Sequence, residues 1–560
     1  MGNRRSEKIL QRPDFSFNRG VYKSMGFDDE TMSRPIIGIA NTYSELVPGS
    51  YNLRSLAEAV KRGISEAGGM AVEFGVIGAC DGTAQGNVGM HYILPSRDLI
   101  ANDIEIMVQA HQLDGVVLLG SCDKIVPGLL MAAARLKLPA IILPGGPMQG
   151  GLEFDGRPSD LTSLSEGCGM LKSGRITEDT LNDLEESCCP GCGSCSFYGT
   201  ANTMCCLAEA MGMTLTGAAL IPAVYAERTR CATRTGRQIV KMVHDGLTTE
   251  KIITRESLIN AIRVLNATGG STNGVLHLYA IAAEAGIDSA EMTGLFDSVG
   301  RQTPLIVKVN PSSQYNMEDF YKAGGIPRVM QELMPLLQAE AMTVTGQTIR
   351  QNVEGYRGPQ ADRRIIRTLE EPFMDFGGVA IIRGNLSPEG CITKPSAIVP
   401  EMHKFSGTAR CFNSEEAAEE AILAGQIQPG NVVVIRYEGP KGGPGMREMY
   451  KAMKYLYGMG LARSTALITD GRFSGTNNGC FVGHISPEAA EGGPIALIED
   501  GDPITIDIPA RTITLQVADD QLAERLARWQ KPAVKFTAGY LSWYARFASS
   551  ASKGASMRLI

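Results

Sequence analysis

The sequence has no long hydrophobic run, no block of basic residues and few histidines. Its longest apolar runs, such as VVLLG and AIILPGG, are far shorter than the roughly 20 residues that a membrane-spanning helix needs. The formal net charge of −7 disfavours a nucleic-acid partner. The first residues, MGNRRSEKILQRPDFSF, lack the apolar core of a signal peptide. We therefore expect a cytoplasmic protein with no membrane or nucleic-acid partner, and six histidines in 560 residues give a Ser-His-Asp site little support.

The length and the hydrophobic pattern predict two domains. Residues 35–310 alternate short apolar runs with helical patterns, which is typical of an α/β domain with a largely parallel sheet. The polar segment 340–371 is typical of a connector. Residues 375–560 contain strand-like runs such as NVVVIRYEG, PITIDI and TITLQV. The fold class is thus α/β, with a large N-terminal α/β domain (1–370) and a smaller, β-rich, barrel-like C-terminal domain (371–560).

Thirteen cysteines are many for a chain that we place in a reducing compartment, where they should be thiols and not disulfides. Some cysteines are isolated in the sequence, and we expect these to be small buried hydrophobic residues. They are Cys168, Cys231, Cys391, Cys411 and Cys480. The other cysteines cluster and need a separate explanation.

Two Cys-Asp pairs follow strand-like segments: Cys80-Asp81 in ACDGTAQG and Cys122-Asp123 in SCDKIVPG. The carboxyl ends of parallel strands lie on one edge of a sheet, where ligand sites of α/β proteins form. Thiolates suit iron clusters and carboxylates suit Mg²⁺. The two pairs therefore indicate a metal site at that edge, and Lys124 lies directly beside it.

The stretch ESCCPGCGSCSFYGTANTMCC carries two overlapping metal-ligand spacings. Cys188, Cys192 and Cys195 have the spacing of radical-SAM enzymes, and Cys189 with the last two resembles a ferredoxin run. Ser194 replaces the aromatic residue usual in radical-SAM loops, and the fourth cysteine of a ferredoxin run is missing. A zinc ribbon would need a second matching pair. A radical-SAM enzyme and a non-catalytic iron–sulfur protein therefore stay open from the spacing alone.

Two glycine-rich loops of the second domain carry polar side chains. The first, RYEGPKGGPGMREM, contains Glu438 and Glu448 but lacks the order of a P-loop. The second, TDGRFSGTNNG, contains Ser474 but lacks the G-x-S-x-G frame of a hydrolase elbow. Neither loop fits a common nucleotide or hydrolase motif.

Six motifs in order resemble the dihydroxy-acid dehydratase / 6-phosphogluconate dehydratase family. They are CDKIVPG, GSCSFYGTANTM, TGGSTN, GNLSPEG, YEGPKGGPGMREM and DGRFSG with GHISPEA. The similarity runs from about residue 35 to about residue 495. It implies an enzyme that dehydrates a 2,3-dihydroxy acid to a 2-keto acid, with an iron–sulfur cluster beside a Mg²⁺ ion.

The resemblance also implies roles for individual residues. The N-terminal domain would carry most of the metal ligands, and the C-terminal domain would carry the glutamate and serine loops. Cys122 and Cys195 would bind the cluster. Mg²⁺ would be held by Asp81, Asp123, Glu448 and Lys124, the last as a carbamate, since an anion is attracted to Mg²⁺ and an ammonium is repelled. Ser474 would be the catalytic base.

One departure from the family bears on the cluster. Members with a [2Fe-2S] cluster have a cysteine in a PCN turn, and the corresponding turn here is LVPGSYNL, with Gly49 at that position. This resembles members with a [4Fe-4S] cluster, which we favour. Cys80 is our choice for the third cluster ligand, because it precedes Asp81 as Cys122 precedes Asp123, and Cys192 is the alternative.

The motifs are divided between two substrate classes. ACDGTAQG, CDKIVPG and SFYGTANT are closer to 6-phosphogluconate dehydratases, whereas YEGPKGGPGMREM and the VPG turn are closer to dihydroxy-acid dehydratases. We favour a dihydroxy-acid dehydratase of branched-chain (isoleucine and valine) biosynthesis. Its substrate would be 2,3-dihydroxy-3-methylbutanoate, which becomes 3-methyl-2-oxobutanoate. A sugar-acid dehydratase acting on an aldonate or on 6-phosphogluconate is the alternative. The resemblance implies a homodimer or homotetramer.

Overall fold

The computed structural model describes residues 4–172, 174–473, 475 and 479–557. A four-stranded parallel sheet forms the centre of the N-terminal part, in the order β2–β1–β3–β4. Its strands are β1 (Ile36–Asn41), β2 (Met70–Gly75), β3 (Gly115–Leu119) and β4 (Ala140–Leu143). Every residue of β1, β3 and β4 is buried. Continuous burial of this kind is typical of a parallel sheet that is covered on both faces.

Helices surround this sheet and extend the N-terminal part to about residue 354. They are α1 (Glu7–Leu10), α2 (Ser16–Ser24), α3 (Asp29–Met32), α4 (Leu53–Glu66), α5 (Asp81–Ala84), α6 (Met90–Ala110), α7 (Ile125–Leu136), α8 (Leu161–Lys172), α9 (Glu178–Ser187), α10 (Thr200–Ala210), α11 (Ala226–Asp245), α12 (Arg255–Thr268), α13 (Asn273–Glu284), α14 (Ser289–Arg301), α15 (Met317–Lys322), α16 (Gly325–Glu332) and α17 (Ile349–Glu354). A short hairpin, β5 (Glu153–Phe154) and β6 (Arg157–Pro158), precedes α8. None of the helices in the described part of the chain combines the length and apolarity needed to cross a membrane.

The closest helix pair of the N-terminal part is α4 with α11, which packs on β3 and β4. A Cβ added to Gly63 would lie 2.1 Å from the carbonyl oxygen of Thr233, and one on Gly236 would lie 2.2 Å from the carbonyl oxygen of Val60. Glycine is therefore required at both positions, because the two backbones are in direct contact.

The C-terminal part is a closed barrel of eight strands in the order β10–β12–β14–β8–β7–β16–β15–β9. These strands are β7 (Ala380–Gly384), β8 (Ser387–Thr393), β9 (Lys404–Phe412), β10 (Asn431–Ile435), β12 (Ala466–Thr469), β14 (Cys480–Ser486), β15 (Pro503–Asp507) and β16 (Thr512–Leu515). Apolar side chains such as Val432, Ile468 and Val482 fill its interior. The helices of this part are α18 (Glu415–Leu423), α19 (Lys451–Gly458), α20 (Asp519–Arg528) and α21 (Gly539–Phe547).

Two short strands outside the barrel, β11 (Glu448–Met449) and β13 (Arg472–Phe473), form a parallel pair. Glu448 is opposite Arg472, and Met449 is opposite Phe473. This pairing joins the two glycine-rich loops of the second domain. It therefore places the predicted metal ligand Glu448 beside the segment that leads to Ser474.

The predicted fold class, an α/β domain with a parallel sheet followed by a barrel-like domain, is confirmed. The expected burial of the isolated cysteines holds for Cys231, Cys391 and Cys480, but Cys411 is only half-buried. The expectation was wrong for Cys168, which is exposed on α8. The division of the chain at residue 370 stays a prediction.

Candidate metal centre

The two Cys-Asp pairs meet at the carboxyl edge of the parallel sheet. Cys80 and Asp81 follow β2 and begin α5, whereas Cys122 and Asp123 lie between β3 and α7. One ligand atom each of Asp81, Cys122 and Asp123 lies within 4.8 Å of the others. Soft and hard donors are thus adjacent at the one edge where parallel strand ends converge.

Lys124 is fully buried among three carboxylates. Its Nζ donates to Asp81 Oδ2 at 2.5 Å and lies 3.5 Å from Asp123 Oδ2 and 4.0 Å from Glu448 Oε1. The second carboxylate oxygen of Asp81 is buried and has no hydrogen-bond partner among the described residues. Because burying an acceptor without a partner costs free energy, that oxygen suits a ligand or a metal.

The negative charges of the carboxylates in this group repel one another. Burial and the negative charge of Asp81 raise the pKa of Asp123 to about 7, although Lys124 acts in the opposite direction. Carboxyl groups that repel each other in a buried site are stabilised when a multivalent cation binds between them. The electrostatics therefore fit a divalent metal ion.

Three cysteines border the carboxylates. The neighbouring thiol of Cys122 lowers the pKa of Cys80 to about 6, and the proximity of Cys80 together with burial raises the pKa of Cys122. Burial, and then the negative charges of Asp123 and Cys80, raise the pKa of Cys195. The structure therefore places the predicted ligands Cys80, Cys122 and Cys195 around the same site.

Gly49, which stands where [2Fe-2S] members have a cysteine, also borders this site. A Cβ at position 49 would lie 3.1 Å from the carbonyl oxygen of Ser121 and 3.5 Å from Cα of Ser194. These two residues directly precede Cys122 and Cys195. A side chain at position 49 would therefore point toward the residues next to Cys122 and Cys195, but this chain has no sulfur there.

The second domain adds Glu448 to the group. Its Oε1 accepts hydrogen bonds from Arg472 Nη1 at 2.8 Å and from Asn273 Nδ2 at 2.6 Å. Asn273 also donates to Thr200 Oγ1 at 3.0 Å, and that hydroxyl pairs with Ser271 at 2.8 Å. Glu448 is thus held by both domains and is fixed in its orientation.

The predicted base, Ser474, lies outside the described residues, and its flanking residues Phe473 and Gly475 lie inside them. Gly475 is tightly packed, because a Cβ there would be 3.3 Å from Cα of Gly199 and 3.3 Å from Oγ of Ser271. Gly475 therefore packs against the N-terminal domain beside Ser271, which belongs to the Thr200–Ser271–Asn273 group.

Two residues of the site were missed from the sequence alone. Arg472 and Asn273 occur in the quoted motifs DGRFSG and TGGSTN, but neither received a role. Their position as polar residues inside these motifs was the one sequence signal that could have indicated a role in the site. Their partner Glu448 could not be inferred from spacing, because the contacts join residues 24 and 175 positions apart.

Comparison with known families assigns the chain to a family. Residues 34–352 match the model of the dihydroxy-acid/6-phosphogluconate dehydratase N-terminal domain, and residues 364–555 match that of the C-terminal domain. The chain belongs to the dihydroxy-acid/6-phosphogluconate dehydratase family. This assignment favours the dehydratase interpretation of the cysteine cluster over the radical-SAM and non-catalytic alternatives.

Relatives named dihydroxy-acid dehydratase match almost the whole chain. The protein from Caldanaerobacter subterraneus subsp. tengcongensis is 50% identical over 558 residues, which is 99% of both chains. The protein from Ignicoccus hospitalis is also 50% identical over 558 residues, 99% of this chain and 100% of the relative. The protein from Ruminiclostridium cellulolyticum is 47% identical over 556 residues, which is 99% of this chain and 100% of the relative.

Proposed function

We propose that this protein is a dihydroxy-acid dehydratase that converts 2,3-dihydroxy-3-methylbutanoate to 3-methyl-2-oxobutanoate. The observation that carries the proposal is the convergence of Asp81, Asp123 and Lys124 from one domain with Glu448 from the other. Cys80 and Cys122 border this group directly. Relatives of that name that are about half identical over their full length support the choice of substrate.

The donor atoms fit two metal groups. Asp81, Asp123 and Glu448 supply the oxygen atoms that Mg²⁺ prefers, and Cys80, Cys122 and Cys195 would supply thiolates to an iron–sulfur cluster. With three thiolates and no cysteine at position 49, we favour a [4Fe-4S] cluster over a [2Fe-2S] cluster. When bound, the two groups supply the Lewis acidity that stabilises an enediolate and weakens the bond to the C3 hydroxyl.

Lys124 would act as an anion and not as an ammonium. Its amine and CO₂ form a carbamate with release of one proton, and the new carboxylate offers an oxygen ligand to Mg²⁺. The contact with Asp81 supports this role, because it places Nζ beside the oxygen atoms that would share the ion. An ammonium in that place would repel Mg²⁺.

The remaining residues would orient the reacting groups and move the proton. Arg472 and Asn273 hold the Glu448 carboxylate in one orientation. Ser474, in its deprotonated form, would accept the C2 proton of the substrate. Ser474 would return this proton to the C3 hydroxyl, which leaves as water, and the resulting enol becomes the 2-keto acid.

The test is an assay of 2-keto acid formation by protein purified anaerobically with iron and Mg²⁺. Turnover of 2,3-dihydroxy-3-methylbutanoate and of its ethyl homologue, with no turnover of aldonates or 6-phosphogluconate, is expected. Turnover of a sugar acid alone would keep the dehydratase chemistry and move the enzyme to sugar-acid catabolism. No turnover of any of these acids by protein with an intact cluster would overturn the proposal.

We also propose that the protein is a cytoplasmic homodimer or homotetramer. All thirteen cysteines are free thiols, which suits a reducing compartment. Phe17 and Val21 on α2, with Met25 just beyond it, are exposed at intervals of four residues and form an apolar stripe that a second copy could cover. Light scattering, which measures the mass in solution, tests this proposal. We expect the mass of a dimer or tetramer for the wild type and a smaller mass for Phe17→Ser.

A further inference from the structure

A cleft of about 760 Å³ lies in the N-terminal domain and shares no lining residue with the metal centre. Helix α11 forms one wall, and α17 with the following segment 355–359 forms the other. Its volume is in the range of pockets that bind small molecules. The proposed dehydratase chemistry makes no use of it, so its side chains need a separate explanation.

The cleft is positively charged, although the chain as a whole carries a formal net charge of −7. Its lining contains four cationic side chains and one carboxylate, that of Glu227. Arg234, Arg237 and Lys241 lie three and four residues apart, which places them on one face of α11. Arg357 belongs to the opposite wall. The two walls therefore present positive charge to the same space.

Two of these cations have no carboxylate partner among the residues that the structure describes. Arg234 is exposed and forms no ion pair there, and Arg357 donates only to two backbone carbonyl oxygens of its own loop, at 2.8 and 3.3 Å. Arg237 and Lys241 have acidic partners, but both pairs are exposed to solvent. Exposed ion pairs contribute little, so an anionic ligand can compete for these cations.

The wall that carries Arg357 is held in place by Arg328. The Nε of Arg328 donates to the carbonyl oxygen of Pro359 at 2.7 Å, and its Nη2 donates to that of Gly358 at 3.0 Å. Its guanidinium also lies 5.3 Å from the ring centroid of Tyr356. A Cβ on Gly358 would be 2.0 Å from the Tyr356 hydroxyl, so glycine is required there. Tyr356, which lines the cleft, is thus fixed before any ligand binds.

The two tyrosines of the cleft add aromatic surface without adding negative charge. Burial raises the pKa of Tyr356 to about 12. Burial, and then the hydrogen bond that the Tyr321 hydroxyl donates to Glu227 at 2.6 Å, raise the pKa of Tyr321. Both phenols are therefore neutral at physiological pH, and the positive charge of the cleft is not offset by them.

We propose that this cleft binds a phosphate-bearing organic anion, with Arg234 and Arg357 at the phosphate oxygens and Tyr356 against the organic part. A guanidinium presents paired N–H donors that match phosphate oxygens. A cleft lined by charge of one sign also raises the local concentration of the opposite ion. The proposal does not depend on the dehydratase function, because no residue of the metal centre takes part.

The test is calorimetric titration of the holoenzyme with ATP, inorganic pyrophosphate and adenosine. We expect both phosphate compounds to bind, more weakly as salt is added, and adenosine not to bind. Arg234→Gln and Arg357→Gln should each weaken binding at least about 10-fold, as the loss of a charge-assisted hydrogen bond predicts. The control Arg255→Gln, which removes an exposed arginine of α12, should leave it unchanged.

ATP and pyrophosphate also bind Mg²⁺, so the comparison of wild type with the variants isolates the cleft. Tighter binding of ATP than of pyrophosphate would support the contact with Tyr356, whereas equal affinities would overturn that contact and keep the phosphate site. No binding of either compound, or equal binding by the wild type and both arginine variants, would overturn the proposal. Circular dichroism checks that the variants fold, and if one does not, the other decides.

Discussion

Arg472 Nη1 lies 2.8 Å from Glu448 Oε1, and the two residues are opposite each other in the short β11–β13 pair. Arg472 is fully buried, and its Nε donates to the carbonyl oxygen of Met446 at 2.6 Å. One guanidinium therefore holds both the proposed Mg²⁺ ligand and the backbone of the loop that presents it. A planar group with several donors in fixed directions can do this, and a single ammonium cannot.

We therefore expect Arg472→Lys to impair the enzyme although the charge is conserved. The loss of one charge-assisted hydrogen bond, about 2 kcal/mol, corresponds to roughly a 30-fold fall in kcat/KM. The Mg²⁺ concentration for half-maximal activity should rise, because Glu448 is no longer held in one orientation. A Mg²⁺ titration of activity measures both effects. The control is Arg410→Lys, a substitution on the barrel surface. Unchanged kinetics of Arg472→Lys would show that Glu448 keeps its orientation without Arg472.

The third cluster ligand is tested by a pair of serine substitutions. Cys80→Ser should lower iron content and abolish turnover, because the Cys80 thiol is in contact with Cys122. Cys192→Ser should leave both nearly unchanged. Iron and sulfide analysis with the visible absorption of anaerobic protein provides the measurement. Full iron content in Cys80→Ser and loss of iron in Cys192→Ser would reverse the assignment.

The carbamate on Lys124 predicts a dependence on CO₂. Activity should fall when CO₂ and bicarbonate are removed and recover when bicarbonate returns, and ¹³C-labelled bicarbonate should give one carbamate resonance. Lys124→Arg, which keeps a cation but forms no carbamate, should lose at least about 100-fold in activity, as expected for a residue of a metal shell. If the enzyme is fully active without bicarbonate and shows no carbamate resonance, Lys124 acts as the unmodified amine that lies beside Asp81.

The sequence allowed the first-domain part of the site to be predicted because parallel strands impose a simple geometry. Once β3 and the segment before Cys80 are taken as parallel strands of one sheet, Asp81 and Asp123 must lie on one edge. The apolar runs at β1, β3 and β4 are continuous and therefore easy to recognise. Strand β2 has a weaker apolar pattern, because it lies at the edge of the sheet and only its first residue is buried, but the segment before Cys80 was still predicted to be strand-like.

The second-domain part depends on contacts that no local pattern encodes. Arg472 reaches Glu448 only because two-residue strands pair outside the barrel. Lys394 reaches Gly475 across 81 positions, because β8 and β14 are neighbours in the barrel. In the sequence both cations look like ordinary surface residues of loops and strand ends. Burial, which only the fold reveals, is what distinguishes them.

Glu488, a buried carboxyl group outside the metal centre, predicts how stability depends on pH. Glu488 is 5% exposed, and its carboxylate accepts backbone hydrogen bonds from Lys441 and, at 2.8 Å, from Gly442 in the loop before Glu448. Burial and the negative charge of Asp470 raise the pKa of Glu488 to about 8. Between 4.5, its unfolded value, and about 8 the folded chain therefore holds a proton that the unfolded chain releases.

Stability should accordingly fall as pH rises through this window, by at most about 1.4 kcal/mol for each pH unit. Glu488→Gln should flatten the fall, because an amide oxygen in the place of Oε2 still accepts from Lys441 and Gly442 but carries no charge. The pKa of Asp470 is raised to about 6, so the interval from pH 6 to 8 separates the two groups. Midpoint temperatures of anaerobic protein across that interval, with the exposed Glu420→Gln as control, give the slope. A slope in Glu488→Gln equal to that of wild type would assign the titration to another buried carboxyl group, such as Asp123, whose pKa is raised to about 7.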